Sequence, residues 1–136
     1  MDFVKSIAVA ASGLKAQSGR MRVIAENVAN ADSTGSRPGA DPYRRKVPTF
    51  ARHFDREIGA TVVELGPVRK DPSSFRTKQD PGHPAADAAG QVKLPNVNSL
   101  VETLDMREAQ RSYEANLNIV TATRRMISRT LDIIRA

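Results

Sequence analysis

The 136-residue sequence contains no cysteine and no tryptophan. Without cysteine there can be no disulfide framework, no thiolate nucleophile and no cysteine-ligated metal. Aromatic residues make up only 4% of the chain, which argues against a dense globular core. No apolar run approaches the roughly 20 residues that a bilayer-crossing helix needs. The two histidines, His53 and His83, do not stand at metal-ligand spacing from another candidate ligand. Glycine-rich phosphate loops of the Walker or dinucleotide type are missing, and no serine sits in a nucleophile-elbow pattern. The acids Glu102, Asp105 and Glu108 could form a carboxylate cluster, but their place at the start of a helix accounts for them without catalysis. The chain reads as a non-enzyme with no catalytic residues, no cofactor, no metal and no small-molecule substrate.

Charge is present but dispersed. The formal net charge is +6. Short clusters occur at Arg44-Arg45-Lys46, Arg69-Lys70 and Arg124-Arg125, and Tyr43 is the one aromatic beside them. A nucleic-acid module concentrates cations on one face with aromatics for stacking. The dispersion therefore favours a solvated surface with a basic excess and no nucleic-acid partner. The alternative is a basic coiled-coil adaptor that binds nucleic acid or an acidic protein.

All eight prolines fall between Pro38 and Pro95. Both ends are therefore free to form uninterrupted helices. Three parts result: an N-terminal helix within residues 1–35, a middle extension over 36–97 and a C-terminal helix within 98–136. In the first, Val4, Ala11, Ser18 and Ala25 recur every seven residues, as do Ile7, Leu14, Met21 and Val28. The spacing is that of a coiled-coil seam. Gly13 and Gly19 lie inside it, each costing about 1 kcal/mol against alanine, so the helix is expected to lean on partners. Asn30–Gly35 supplies the stop. Lys5 and the short apolar run after it only faintly resemble a signal peptide. The acidic Asp2 and the continuing heptads argue against cleavage.

The last part opens on Ser99-x-x-Glu102, which predicts a capping box. Met106, Tyr113, Val120, Ile127 and Ile134 then repeat every seven residues, with Leu117 and Leu131 widening the stripe. The middle reads as turns with short strands near Tyr43–Phe50, Thr61–Leu65 (with a candidate extension to Lys70) and Gln91–Leu94, and a dense turn signal at Asp80–Pro84. The expected fold is mainly α: long terminal helices forming a coiled coil, with a small irregular or β middle segment. Helices of about 28 and 37 residues are about 42 and 55 Å long, whereas a compact globule of this size is about 37 Å across. Two arrangements fit: a subunit that completes its core with neighbours, or a self-sufficient antiparallel coiled-coil hairpin.

Asn27-Val28-Ala29-Asn30 at the end of an amphipathic N-terminal helix resembles the signature of flagellar rod and hook proteins. Tyr43-Arg44-Arg45-Lys46, the Asp80-Pro81-Gly82-His83-Pro84 loop, Ala86-Asp87, Gly90, Val92, Pro95-Asn96-Val97-Asn98, Asp105-Met106, Arg111, Tyr113-Glu114-Ala115-Asn116 and Leu131-Asp132-Ile133 follow in order. Together they resemble the proximal-rod branch of that family over nearly the whole chain. Ala85 and Gln91 depart from its usual acid and tyrosine. The resemblance implies a structural subunit of the flagellar basal-body rod. It implies export by the type III apparatus without a cleaved signal peptide, location in the periplasmic rod, and a role in transmitting torque and lining the export channel. Implied partners are other rod subunits and itself, the inner-membrane ring, rod adaptor proteins and the export apparatus. Expected assembly contacts are Val4, Ile7, Leu14, Met21, Asn27, Val28, Asn30, Met106, Tyr113, Glu114, Asn116, Leu117, Val120, Ile127, Leu131 and Ile134.

Overall fold

The computed structural model describes residues 2–136. A helix α1 (Phe3–Ala29) and a helix α2 (Ser99–Arg135) bracket six short strands. These are β1 (Lys46–Val47), β2 (Phe50–Asp55), β3 (Ala60–Leu65), β4 (Arg69–Lys70), β5 (Arg76–Gln79) and β6 (Gln91–Leu94). They pair antiparallel as β1-β4, β2-β3 and β5-β6, in three separate two-stranded sheets. The helices run antiparallel, since Gly13 faces Asn116 and Arg20 lies 3.6 Å from Glu108. No helix among the described residues is long and apolar enough to cross a membrane.

The chain resolves into two compact units. One joins the stretch up to Met21 to Thr49–Pro67 and Arg107–Ala136; the other joins Arg22–Pro48 to Val68–Met106. In the first, the buried residues are mostly small: Ala10, Ala16, Ala109 and Thr123, with Val62 from β3. Gly13 and Gly19 are contact points rather than mere costs. A Cβ at Gly13 would lie 2.8 Å from Asn116 Nδ2, and one at Gly19 would lie 2.9 Å from Leu65 Cδ2. Ser12 Oγ accepts a hydrogen bond from the Val63 amide at 3.2 Å, tying α1 to β3. The β2-β3 turn closes on Asp55, whose Oδ1 accepts from the amides of Glu57 and Ile58, and on Gly59 at φ +67°. The second unit buries larger groups: Val23, Ile24, Val92 and Val97. Its β5-β6 loop folds on itself, with Asp80 N donating to Gly90 O and Asp87 Oδ1 accepting from Ala89 and Gln91. His83 Nδ1 accepts from the Ala85 amide and takes part in that turn.

This corrects the expectation of a mainly α coiled coil with a slight middle. Helix accounts for 47% of residues and strand for 18%, and the middle is β-rich. The reason lies in what each element packs against. α1 buries Ala10, Gly13, Ala16, Val23, Ile24 and Asn27, a stripe set against strands as well as against α2. The heptad set lies roughly a third of a turn round the helix. Ile7, Leu14 and Met21 are half-buried on its shoulder, while Val4, Ala11, Ser18, Ala25 and Val28 are exposed. The helix turns small residues inward and some of its larger apolar ones outward, so it does not pair through the seam its sequence displays.

Burial therefore ranks positions differently from the heptad. Ile24 is 1% exposed and Val28 is 42% exposed. Ile24→Ala is expected to destabilise the purified subunit by about 2–5 kcal/mol, and Val28→Ala by about 0.5 kcal/mol or less. Urea unfolding checks this; equal losses would put the packing stripe on the wrong face.

Candidate functional site

The second unit is organised around a buried polar node. Asn27, in the last turn of α1, is fully buried. Its Nδ2 donates to Lys46 O at 2.8 Å and to Glu102 Oε2 at 3.1 Å. Its Oδ1 accepts from Tyr43 Oη at 2.8 Å and from the Lys46 amide at 2.9 Å. An asparagine side chain can donate twice and accept twice, and here every capacity is used. Glu102, also fully buried, accepts from Arg45 Nε at 2.5 Å. Arg45 reaches Asp71 at 3.4 Å and Asp105 at 3.9 Å, while its amide donates to Asn96 Oδ1 at 2.8 Å. Asn96 in turn donates to the Asp71 and Ser73 carbonyls.

These contacts correct the predicted capping box. The N-cap of α2 is Asn98, whose Oδ1 accepts from the amides of Leu100 and Val101. The Glu102 carboxylate does not turn back to the helix start but goes inward to Asn27 and Arg45. Burial opposes the charge of Arg45, yet the hydrogen bond and charge of Glu102, and then those of Asp71, outweigh it and raise the guanidinium pKa. The Asp71 carboxyl is held below its usual range first by the Ser73 amide, then by the Ser73 hydroxyl and Arg45. Burial, then the charges of Glu26 and Glu102, push the Tyr43 phenol up to about 12.

The expected contact residues fall into distinct environments. Asn27 is the centre of the node. Asn30 caps the end of α1 by donating to Glu26 O at 2.8 Å. Asn116 lies against Gly13 and donates to Ser112 O. Met106, Tyr113, Val120 and Ile127 are half-buried, whereas Glu114, Leu117, Leu131 and Ile134 are exposed. The node also contains Tyr43, Arg45, Asn96 and Glu102, which sequence reasoning did not group together. Their signal was present in the Tyr-Arg-Arg-Lys and Pro-Asn-Val-Asn motifs, but nothing in spacing alone joins positions 75 residues apart. The clusters of histidine and carboxylate that a metal needs do not occur among the described residues.

The node generates two expectations. Arg45→Leu leaves Glu102 buried beside an apolar group and is expected to cost about 3 kcal/mol. Adding Glu102→Leu should recover part of that loss in denaturant unfolding. The second concerns pH. The folded Tyr43 pKa of about 12 lies above the ordinary 10. The stability tied to the neutral phenol is therefore full below pH 10 and lost as pH rises through about 12. In a Tyr113→Phe variant, which keeps Tyr43 as the only tyrosine, ultraviolet titration should show phenolate forming near 12; a midpoint at 10 would mean that Tyr43 is not held in the node.

Comparison with known proteins bears on the same residues. Residues 7–35 match the family described as flagella basal body rod protein. Residues 88–133 match the C-terminal family of flagellar basal body rod FlgEFG proteins. The flagellar basal-body rod protein FlgC of Agrobacterium fabrum is 50% identical over 94% of this chain and 92% of its own length. FlgC of Borreliella burgdorferi is 37% identical over 99% of both chains, and that of Salmonella typhimurium 37% identical over 92% of both. With half of the residues shared along nearly the full length of a relative, and with family matches on both helices, the chain belongs to the FlgC family of flagellar basal-body rod proteins and is a structural subunit of the rod.

Proposed function

We propose that the chain polymerises, with itself and with other rod subunits, through the outward faces of its two helices. The assembled helices form the wall of the periplasmic drive shaft and of the channel inside it. The observation that carries this reading is the apolar surface that both helices leave in solvent. Val4 is 74% exposed and Val28 42% on α1, and on α2 Leu117 is 45%, Leu131 48% and Ile134 74% exposed. Apolar side chains left outside along two long helices mark an interaction face. In this reading the α1 face of one copy meets the α2 face of the next head to tail, a heterologous contact whose rotation does not close, so that it propagates as an open helical assembly. The polar node provides internal linkage within its unit, which suits a structural part. The same surfaces would meet the inner-membrane ring, the rod adaptor and the export apparatus at the rod's base.

Deleting the gene is expected to give non-motile cells whose basal bodies, seen by electron microscopy, lack a complete rod; normal hooks in that strain would defeat the proposal. Ile134→Asp should leave the urea midpoint of the subunit within about 0.5 kcal/mol of the parent and still give no rods. Lys15→Asp, on an exposed polar position, should swim. Hydrogen exchange adds a further check. In the free subunit, amides of 3–9 and 124–135 should exchange fast and those around Ile24 slowly, because protection follows local burial. Assembled rods should protect all three; slow exchange throughout the free chain would favour a self-sufficient hairpin.

A further inference from the structure

The two basic clusters of the middle sequence come together in the fold. The β1-β4 pairing sets Lys46 directly opposite Lys70 and Val47 opposite Arg69. Directly opposed residues of an antiparallel pair share a face, and like charges there repel. Lys46 and Lys70 line a cleft of about 460 Å³ together with Glu26, Tyr43, Arg44 and Phe75. Arg45, between the two, turns away to Glu102. The cleft cations are incompletely answered. Lys46 bonds Glu26. Asp41, also on the wall, is bridged at 3.0 Å by Lys93. Arg44 donates only to the Asp71 and Ser73 carbonyls, with its guanidinium 4.2 Å above the Phe75 ring. Lys70 has no carboxylate partner among the described residues.

We propose that this cleft is a docking site for a carboxylate-bearing segment of a different protein, whose acidic side chain bridges Lys70 and Lys46 while a neighbouring apolar group packs on Phe75. Charge complementarity identifies the occupant. The fold sets two lysines at directly opposed strand positions and answers one of them with Glu26, so an incoming carboxylate meets the other. Strand pairing alone gives no reason to place lysine at both positions. A second copy of this chain is the poorer candidate, since it carries the same net charge of +6. Nucleic acid fits less well too. Binding a phosphate backbone takes a row of cations along a groove, whereas this cleft has two acids in its wall. The proposal rests on the reading of the chain as a rod subunit, because that supplies neighbouring proteins.

The test is charge reversal in cells. Lys70→Glu should abolish swimming although rod-subunit synthesis continues. In the purified subunit the same change should leave the urea midpoint unchanged or raised, since it removes the Lys46–Lys70 repulsion. Suppressors that restore swimming should map to an acid-to-base substitution in another basal-body protein and should not rescue the gene deletion. Normal swimming of both Lys70→Glu and Arg44→Glu would overturn the docking site and leave the rod assignment intact. A lowered urea midpoint for Lys70→Glu would reduce Lys70 to an internal stabiliser and overturn it as well. Binding of a fluorescein-labelled single-stranded oligonucleotide, steeply weakened by salt and lost in Lys70→Glu, would replace the acidic segment by nucleic acid and equally overturn it.

Discussion

A carboxylate cut off from water must have its charge answered, and in this fold that carboxylate is Glu102. It accepts from Asn27 of α1 and from Arg45 of the segment entering β1, so a single buried oxygen pair joins both helices to the middle of the chain within its unit. Sliding α2 by one turn, about 5.4 Å, would carry Glu102 away from both donors and leave its carboxylate buried and unpaired. A buried ion pair adds little net stability against apolar replacements, and its stronger effect is to penalise wrong arrangements. The register of the helices therefore depends on the node, and the apolar contacts of Ile24, Val92 and Val97 fill in around a geometry that polar groups decide.

The rest of the molecule is built to be incomplete. The buried residues of its first unit are mostly alanine, glycine and threonine, whereas isoleucine, leucine and methionine on α2 stay in solvent. That inversion accounts for the low aromatic content noted at the outset. Small residues let backbones approach closely, and the larger side chains are left on the surface that the proposed assembly would cover.

Much of this was legible in the sequence. Proline placement left both ends free for the helices Phe3–Ala29 and Ser99–Arg135, because proline cannot occupy a helix interior. The chain's family was legible in its ordered motifs. The middle was underestimated because two of its strands carry no strand pattern. Phe50–Asp55 contains Arg52, His53 and Asp55, and Arg76–Gln79 has no apolar residue at all. Each is held by its partner strand rather than by burying a face. The helix stripe was misplaced for a related reason. Hydrophobic periodicity finds the largest apolar side chains, and α1 turns several of those outward while packing through alanine and glycine. The node escaped because Ser99 and Glu102 satisfy a local rule, while Asn98 performs that role and frees Glu102 for a partner far along the chain.

The outward faces have a kinetic consequence. One face of the 37-residue α2, about 55 Å long and about 10 Å across, offers about 550 Å², less than the roughly 800 Å² per partner that a lasting pairwise interface buries. Two subunits meeting in dilute solution would part again. A subunit arriving at the end of an existing stack can touch several neighbours at once, and only there do the separate weak contacts add up. Growth from an established end is then favoured over spontaneous nucleation, and a critical concentration separates loose subunits from polymer. On the proposed assembly, filaments would start where a template already stands, and the number of shafts in a cell would follow the number of templates rather than the supply of subunits.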